Sequence, residues 1–328
     1  MEIFSTLIGN EDIKNTLGSA VLRGEFSHAY IIEGAYGTGK HTVARLFASA
    51  IMCKSKTKLP CMECNFCHKI MNDICVDVRF FDAFKVDEIR EIKKTLYESS
   101  TECDYKVYIF NDAHKMNEKA QNALLISLEE PPQNVVFLLL CDDASALLET
   151  IRSRAQLLRM KPLSDEEILS YIKRNEDTAL SDEELKEIII SSGGSLGYTL
   201  DMLDEEKSAE LIETRKAVNS FALALLSGGV SSYATITSLF SMQRDSLKEL
   251  LALSLAAIRD MAVVKKDKSA RLCFYSSREE LLKLCHGQSL KKILNIYDAV
   301  SRACEDLNSN SNVPNTLSSL MITVKKGS

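Results

Sequence analysis

An excess of positive charge is the first thing this chain lacks. Its 328 residues carry 40 lysines and arginines against 46 acids, a formal net charge of −6. A broad basic face that coats nucleic acid is therefore excluded, although a few phosphate contacts from loops and helix N-termini are not. Long apolar runs are missing too. Residues 135–141 and 250–258 fall well short of the ~20 residues needed to span a bilayer, so no membrane contact is expected. The opening Met1-Glu2-Ile3-Phe4 has no basic segment leading into an apolar one, as a secretory leader would, and the expected location is cytoplasmic. Prolines number only 5. Low-complexity tracts and internal repeats of roughly 20–50 residues are absent, which excludes solenoids and propellers. What is present is a globular balance of 45% hydrophobic and 26% charged residues. At this length, two or three cores are expected rather than one.

Residues 1–159 alternate between helical and strand patterns. Residues 10–22 read as an amphipathic helix, and Ala29-Tyr30-Ile31-Ile32 as a short buried strand. Residues 42–52 read as a helix with Val43, Leu46, Phe47 and Ile51 on its inner side. Apolar runs of strand length follow at 106–110 and 135–140, separated by a helix over 118–129 that Pro131-Pro132 stops. This alternation implies an α/β domain, a parallel sheet with helices on both faces, over 1–160. After Pro162 the pattern is only helical. Ser164-Asp165-Glu166-Glu167 and Ser181-Asp182-Glu183-Glu184 read as capped helix starts, and Gly193-Gly194 as a break. A small helical domain over 161–204 and an all-α domain over 205–328 are expected. In the latter, Leu247, Leu250, Leu251, Ile258 and Met261 share one stripe, and 308–312 is a polar break before a last helix.

The stretch Gly34-Ala35-Tyr36-Gly37-Thr38-Gly39-Lys40-His41-Thr42 follows a strand and opens a helix, the setting a phosphate loop requires. Backbone N–H groups around Gly34, Gly37 and Gly39 can cradle phosphate, and Lys40 can reach its outer oxygens. The motif then departs from the pattern. A hydroxyl that ligates Mg²⁺ belongs at position 41, where the chain has His41, and Thr42 lies about 100° further round the helix. The strand Val107–Phe110 should lead to an Asp for the metal and a Glu to polarise water, but leads to Asn111 and Asp112. Both losses weaken metal-assisted phosphoryl transfer. Thr42 and Asp112 remain candidate nucleotide-site residues; binding of ATP or ADP stays open, and efficient hydrolysis is not expected.

Cys53-x7-Cys61-x2-Cys64-x2-Cys67 carries the most specific chemistry among the 10 cysteines. In an intracellular chain, thiols and metal ligands are considered before disulfides. Four thiolates at this spacing can close a tetrahedral Zn²⁺ site, with an iron–sulfur cluster the rival. The absence of redox companions and the insertion between helix and strand favour structural zinc. His68 reads as a bystander, and Cys75, Cys103, Cys141, Cys273, Cys285 and Cys304 have no ligand spacing. His28 and His114 read as packed side chains with satisfied hydrogen bonds.

Taken in order, Gly9-Asn10-Glu11, Ser27-His28-Ala29-Tyr30, the glycine loop, the four-cysteine module, Lys106-Val107-Tyr108-Ile109-Phe110, Leu128-Glu129-Glu130-Pro131-Pro132 and Ile151-Arg152-Ser153-Arg154 resemble bacterial DNA polymerase III clamp-loader subunits of the AAA+ class. The resemblance is dense over residues 1 to about 200. It implies a P-loop domain, a helical lid, and a helical collar that joins subunits into a ring. It also implies gamma/tau and delta subunits as partners, with the sliding clamp and primer–template DNA met within the complex. A hydrolysing gamma/tau-like subunit would keep the Mg²⁺ ligands, a threonine where Cys141-Asp142 stands, and an arginine where Gly197 stands. The chain has lost these and kept Ser153-Arg154, although the usual following cysteine is Ala155. That combination resembles the delta-prime type, which implies Arg154, with Ser153, as an arginine finger acting in trans. An active gamma/tau-like ATPase is the alternative, disfavoured by Asn111 and Gly197.

Overall fold

Apolar runs that do not alternate with polar residues suit strands covered on both sides, and the chain folds accordingly. In the computed structural model, the described residues are 2–82, 92, 95–96, 98–176, 180–266, 272, 274–275, 278–308 and 311–327. Two units are distinguished: Met1–Asp177 with Gly194–Tyr198, and Thr178–Gly193 with Thr199–Ser328. Strands β1 (Glu2–Ile3), β2 (Ala29–Glu33), β3 (Lys58–Leu59), β4 (Val78–Phe81), β5 (Lys106–Phe110), β6 (Val135–Cys141) and β7 (Gln156–Arg159) all belong to the first unit. Five of them form a sheet ordered β4-β5-β6-β2-β7, each neighbouring pair parallel. β1 and β3 pair separately.

The period of two along each strand divides the core between two faces. Tyr30, Ile32, Val107, Ile109, Val136, Leu138 and Leu140 face a layer that includes Val43, Leu46 and Phe47 from the helix Lys40–Met52. Ala29, Ile31, Tyr108, Phe110, Phe137 and Leu139 face Ala120, Leu124 and Leu128 from the helix Glu118–Glu129. This is the AAA+ α/β arrangement that the resemblance implies. Ile51 is only half-buried. Edge strands β4 and β7 escape a hydropathy reading because Val78 and Leu158 are their only buried residues. The Gly9-Asn10-Glu11 motif has a structural use. Asn10 Oδ1 accepts from Lys161 N at 2.7 Å and Asn10 Nδ2 donates to Lys161 O at 3.2 Å, which ties the first helix, Glu11–Arg23, to the chain leaving β7.

Both expected helix starts carry complete capping boxes. Ser164 and Glu167 open the helix Asp165–Asn175, and Ser181 and Glu184 open Asp182–Ser191. In the second unit the core is built from Glu205–Ser227, Arg244–Lys266, Leu290–Asn308 and Val313–Gly327. Leu247, Leu251, Ile258 and Met261 form the expected stripe, packed with Ile293, Val300, Leu307 and Leu317, while Leu250 is half-buried. The buried Asp260 accepts from the amides of Phe274 and Tyr275 at 2.6 and 3.2 Å and pairs with Arg259 at 2.9 Å, which satisfies a charge that burial would otherwise penalise. Cys273 and residues 309–310 of the polar break lie outside the described residues. Among the described residues, no helix is long and apolar enough to cross a membrane.

Candidate functional site

Parallel strands deliver their C-terminal ends to one edge of the sheet, where α/β proteins place ligand sites. β2 runs into the phosphate loop there, and Gly37 and Gly39 take the left-handed conformations (φ 71° and 94°) that let the chain turn into the helix Lys40–Met52. At Gly34 a Cβ would fall 2.7 Å from both Met160 Cβ and Thr38 Oγ1, so the first glycine is required by packing. The buried Lys40 donates to Gly34 O at 2.5 Å and Ala35 O at 3.1 Å. Its ammonium also pairs with Asp142 Oδ1 at 2.6 Å, from the residue after β6. His41 and Thr42 are exposed on the first turn. Asp112 sits just beyond β5 with Oδ2 2.7 Å from Lys115 Nζ, and Asn111 Nδ2 donates to Asp82 Oδ1 at 2.5 Å.

Asp112, His114 and Asp142 bring ligand atoms within 4.8 Å of one another. Both carboxylates, however, already face an ammonium, Lys115 in one case and Lys40 in the other. Burial holds the His114 imidazole below its ordinary range, and its Nδ1 accepts from Asp142 N at 3.3 Å. The cluster neutralises itself and reads as a pin across the loop. His114 thus has its partner as expected. His28 does not: among the described residues its buried Nε2 finds none.

The cysteine module begins where the phosphate-loop helix ends, with Cys53 as that helix's C-cap. Sγ atoms of Cys53, Cys61, Cys64 and Cys67 lie within 4.8 Å of one another. Cys61 and Cys67 Sγ are 3.9 Å apart, against about 3.8 Å for the edge of a tetrahedron with Zn–S near 2.3 Å. Cys64 N donates to Cys61 Sγ at 3.3 Å, an amide contact that favours the Cys61 thiolate, and Cys67 N donates to Cys64 Sγ at 3.4 Å. The amide of Glu63 is the chief reason the Cys61 thiol is drawn down to about 7, while burial pushes Cys67 up. Four converging sulfurs with amide donors fit a thiolate-bound metal. Exposed His68 stands outside this group. Cys75 and Cys103 lie 3.9 Å apart as free thiols.

Arg154 occupies the turn between the short helix Glu149–Arg152 and edge strand β7. Its Nη1 donates to Thr150 O at 3.0 Å and Ser153 Oγ at 3.3 Å, and its Nη2 meets Glu129 Oε1 at 2.9 Å. Arg152 is exposed and, among the described residues, forms no hydrogen bond or ion pair through its side chain. The two arginines, interchangeable by composition, are structurally distinct.

Residues 9–164 match a family model described as DNA polymerase III, delta subunit. The chain is 35% identical over 208 residues to the DNA polymerase III subunit gamma of Buchnera aphidicola subsp. Schizaphis graminum, a match covering 61% of this chain and 57% of that protein. Over this stretch it is similar to DNA polymerase III gamma and tau subunits. Against subunit tau of Bacillus subtilis the identity is 33% over 237 residues, covering 70% of this chain and 41% of tau. The chain thus spans about half the length of the curated relatives it matches. Among solved structures, the RuvB Holliday junction branch migration motor of Thermotoga maritima is 18% identical with a TM-score of 0.47, covering 73% of this chain and 84% of that one.

The loop has a contact that motif reading missed. Gly197 N donates to Gly37 O at 2.9 Å, and Ser195 Oγ donates to Tyr36 O at 2.9 Å, so the segment 194–198 is laced to the tip of the phosphate loop. A Cβ on Gly197 would lie 2.6 Å from Gly37 Cα, backbone against backbone with no flexible tip to yield. Asp142, Ser195 and Met160 join the site from distant segments too, through contacts that no motif announces. Gly197→Arg should therefore prise the segment from the loop rather than supply an arginine to it. The expected loss is about 1–3 kcal/mol, as for other overpacked sites. Thermal denaturation checks this, and an unchanged Tm would show that the contact yields freely.

Proposed function

We propose that the chain is a delta-prime-like subunit of the DNA polymerase III clamp loader, a largely non-hydrolysing AAA+ scaffold. In this reading it binds gamma/tau and delta neighbours, supplies Arg154 in trans to a neighbour's nucleotide, and helps place the sliding clamp on primer–template DNA in the cytoplasm. Residues 161–204 act as lid and 205–328 as collar. The backbone contact between Gly37 and Gly197 carries the reading, because it leaves no room for a side chain where a hydrolysing subunit has its lid arginine. His41, Asn111 and the Lys40–Asp142 pair support it, each removing a different part of metal-assisted phosphoryl transfer. Arg154 and Ser153 remain as the parts useful to a neighbour.

The cysteine module is read as a structural Zn²⁺ centre, with Cys53, Cys61, Cys64 and Cys67 holding one ion that ties the phosphate-loop helix to the helix Asn65–Met71. An active gamma/tau-like subunit is the second reading, favoured by the 33–35% identity to proteins of those names. The purified chain, given ATP and Mg²⁺, is expected to show no turnover above background. The double variant His41→Thr with Asn111→Asp should remain inactive, since Gly197 and Asp142 are unchanged. A metal-dependent rate near ~1 per second, ordinary for phosphoryl-transfer enzymes, would overturn the first reading in favour of the second.

A further inference from the structure

We propose that Glu129 is the positioning residue of the Arg154 guanidinium, an inference that rests on Arg154 being the finger. An arginine side chain samples many rotamers, and ordering it during the reaction costs conformational entropy. Here the ordering precedes the reaction. Nη1 is held by Thr150 O and Ser153 Oγ, Ser153 Oγ itself donates to Thr150 O at 3.0 Å, and Nη2 is held by Glu129 Oε1 at 2.9 Å. The guanidinium is thus gripped from two elements: its own turn, and the C-terminal end of the helix Glu118–Glu129. Pro131-Pro132 ends that helix two residues later, which sets where its last carboxylate stands.

The pair is not accounted for by fold stability. Its side chains are 37% and 44% exposed, and pairs so exposed add little. The neighbouring Glu130 makes the specificity plain. It is equally acidic and exposed, yet among the described residues its side chain forms no hydrogen bond or ion pair. A guanidinium held in one orientation can meet developing phosphoryl charge without searching for it. With these contacts made before any neighbour arrives, the guanidinium is offered to a phosphoryl group already oriented.

The test uses the complex reconstituted with gamma/tau-type and delta-type partners, with steady-state ATPase as the readout. Glu129→Ala should lower kcat about two- to threefold with KM for ATP unchanged; neighbouring sites dilute an effect that can reach ~100-fold when one group is misplaced at a single site. Glu129→Gln keeps an acceptor oxygen and should restore most of the rate, and Glu130→Ala should be silent. In an Arg154→Ala background, Glu129→Ala should cost nothing further. The proposal is overturned if Glu129→Ala leaves kcat unchanged or raises it, if Glu130→Ala matches it, or if its effect persists without Arg154. If Arg154→Ala itself leaves the rate intact, the finger reading fails first; if only Glu129→Ala is silent, that reading survives and the positioning role alone is lost.

Discussion

Cys64→Ser is expected to abolish zinc binding at the proposed four-cysteine centre and open residues 53–75 while leaving the five-stranded sheet folded. Serine isolates the effect because residue 64 has two duties. It is the N-cap of the helix Asn65–Met71, accepting from Cys67 N, and its sulfur is one of the four converging ligands. Serine is a strong N-cap, so the cap survives and only the thiolate is lost. Thiolate–zinc binding is worth about 10–16 kcal/mol in small peptides that fold around the ion. Within this unit, where Leu46, Phe47 and the strands share a core that the cysteine ligands themselves do not enter, most of that energy stays local. Elemental analysis should find one zinc per wild-type chain and none in the variant, and hydrogen exchange should quicken in 53–75 but not in β5 and β6. Iron in the wild-type protein, or no metal in a freshly reduced sample, would sink the zinc assignment.

The second large effect is expected at Arg154. A guanidinium aimed at a transferring phosphoryl group contributes roughly 10³–10⁵ in rate in GTPases, through a planar fork that lysine does not possess. On the proposed clamp-loader reading, Arg154→Ala should slow ATP hydrolysis and clamp loading by the assembled complex. Total turnover will fall by less than the single-site factor, because other sites keep their own fingers. Folding should be nearly untouched. The lost ion pair with Glu129 is half-exposed, so the cost is about 0–1 kcal/mol. Arg154→Lys should rescue little. Arg152→Ala is the internal control and should be mild, since its side chain has no bond to lose among the described residues. Equal behaviour of Arg152→Ala and Arg154→Ala, or normal loading by Arg154→Ala complexes, removes the assignment.

Much of the architecture was legible residue by residue. The helix over 118–129 and the strand over 106–110 lie where apolar periodicity and the Pro131-Pro132 stop place them. Ser164 and Ser181 cap their helices as their spacing to Glu167 and Glu184 requires. β4 and β7 were hidden because an edge strand buries too few residues to produce a hydropathy signal. The four cysteines were readable because their spacing is short enough for one turn and one helix start to gather them.

By itself, the sequence determined what local chemistry can determine: a glycine loop between strand and helix, four cysteines at ligand spacing, capped helices, and His41 and Asn111 where a phosphate-loop pattern expects other residues. Tertiary structure alone decided how those parts are used. Lys40 meets Asp142 from 102 residues away, and Ser195 reaches Tyr36 from 159 away. Gly197, which in sequence is only a missing arginine, becomes a glycine the fold requires because Gly37 lies against it. Arg154 differs from Arg152, and Glu129 from Glu130, only because one member of each pair finds the other between a turn and a helix end. The physical reason is range. Periodicity and capping act over three or four residues and are written in neighbouring letters. Contacts across a hundred residues depend on the β4-β5-β6-β2-β7 strand order, which brings distant chain ends to the same edge of the sheet.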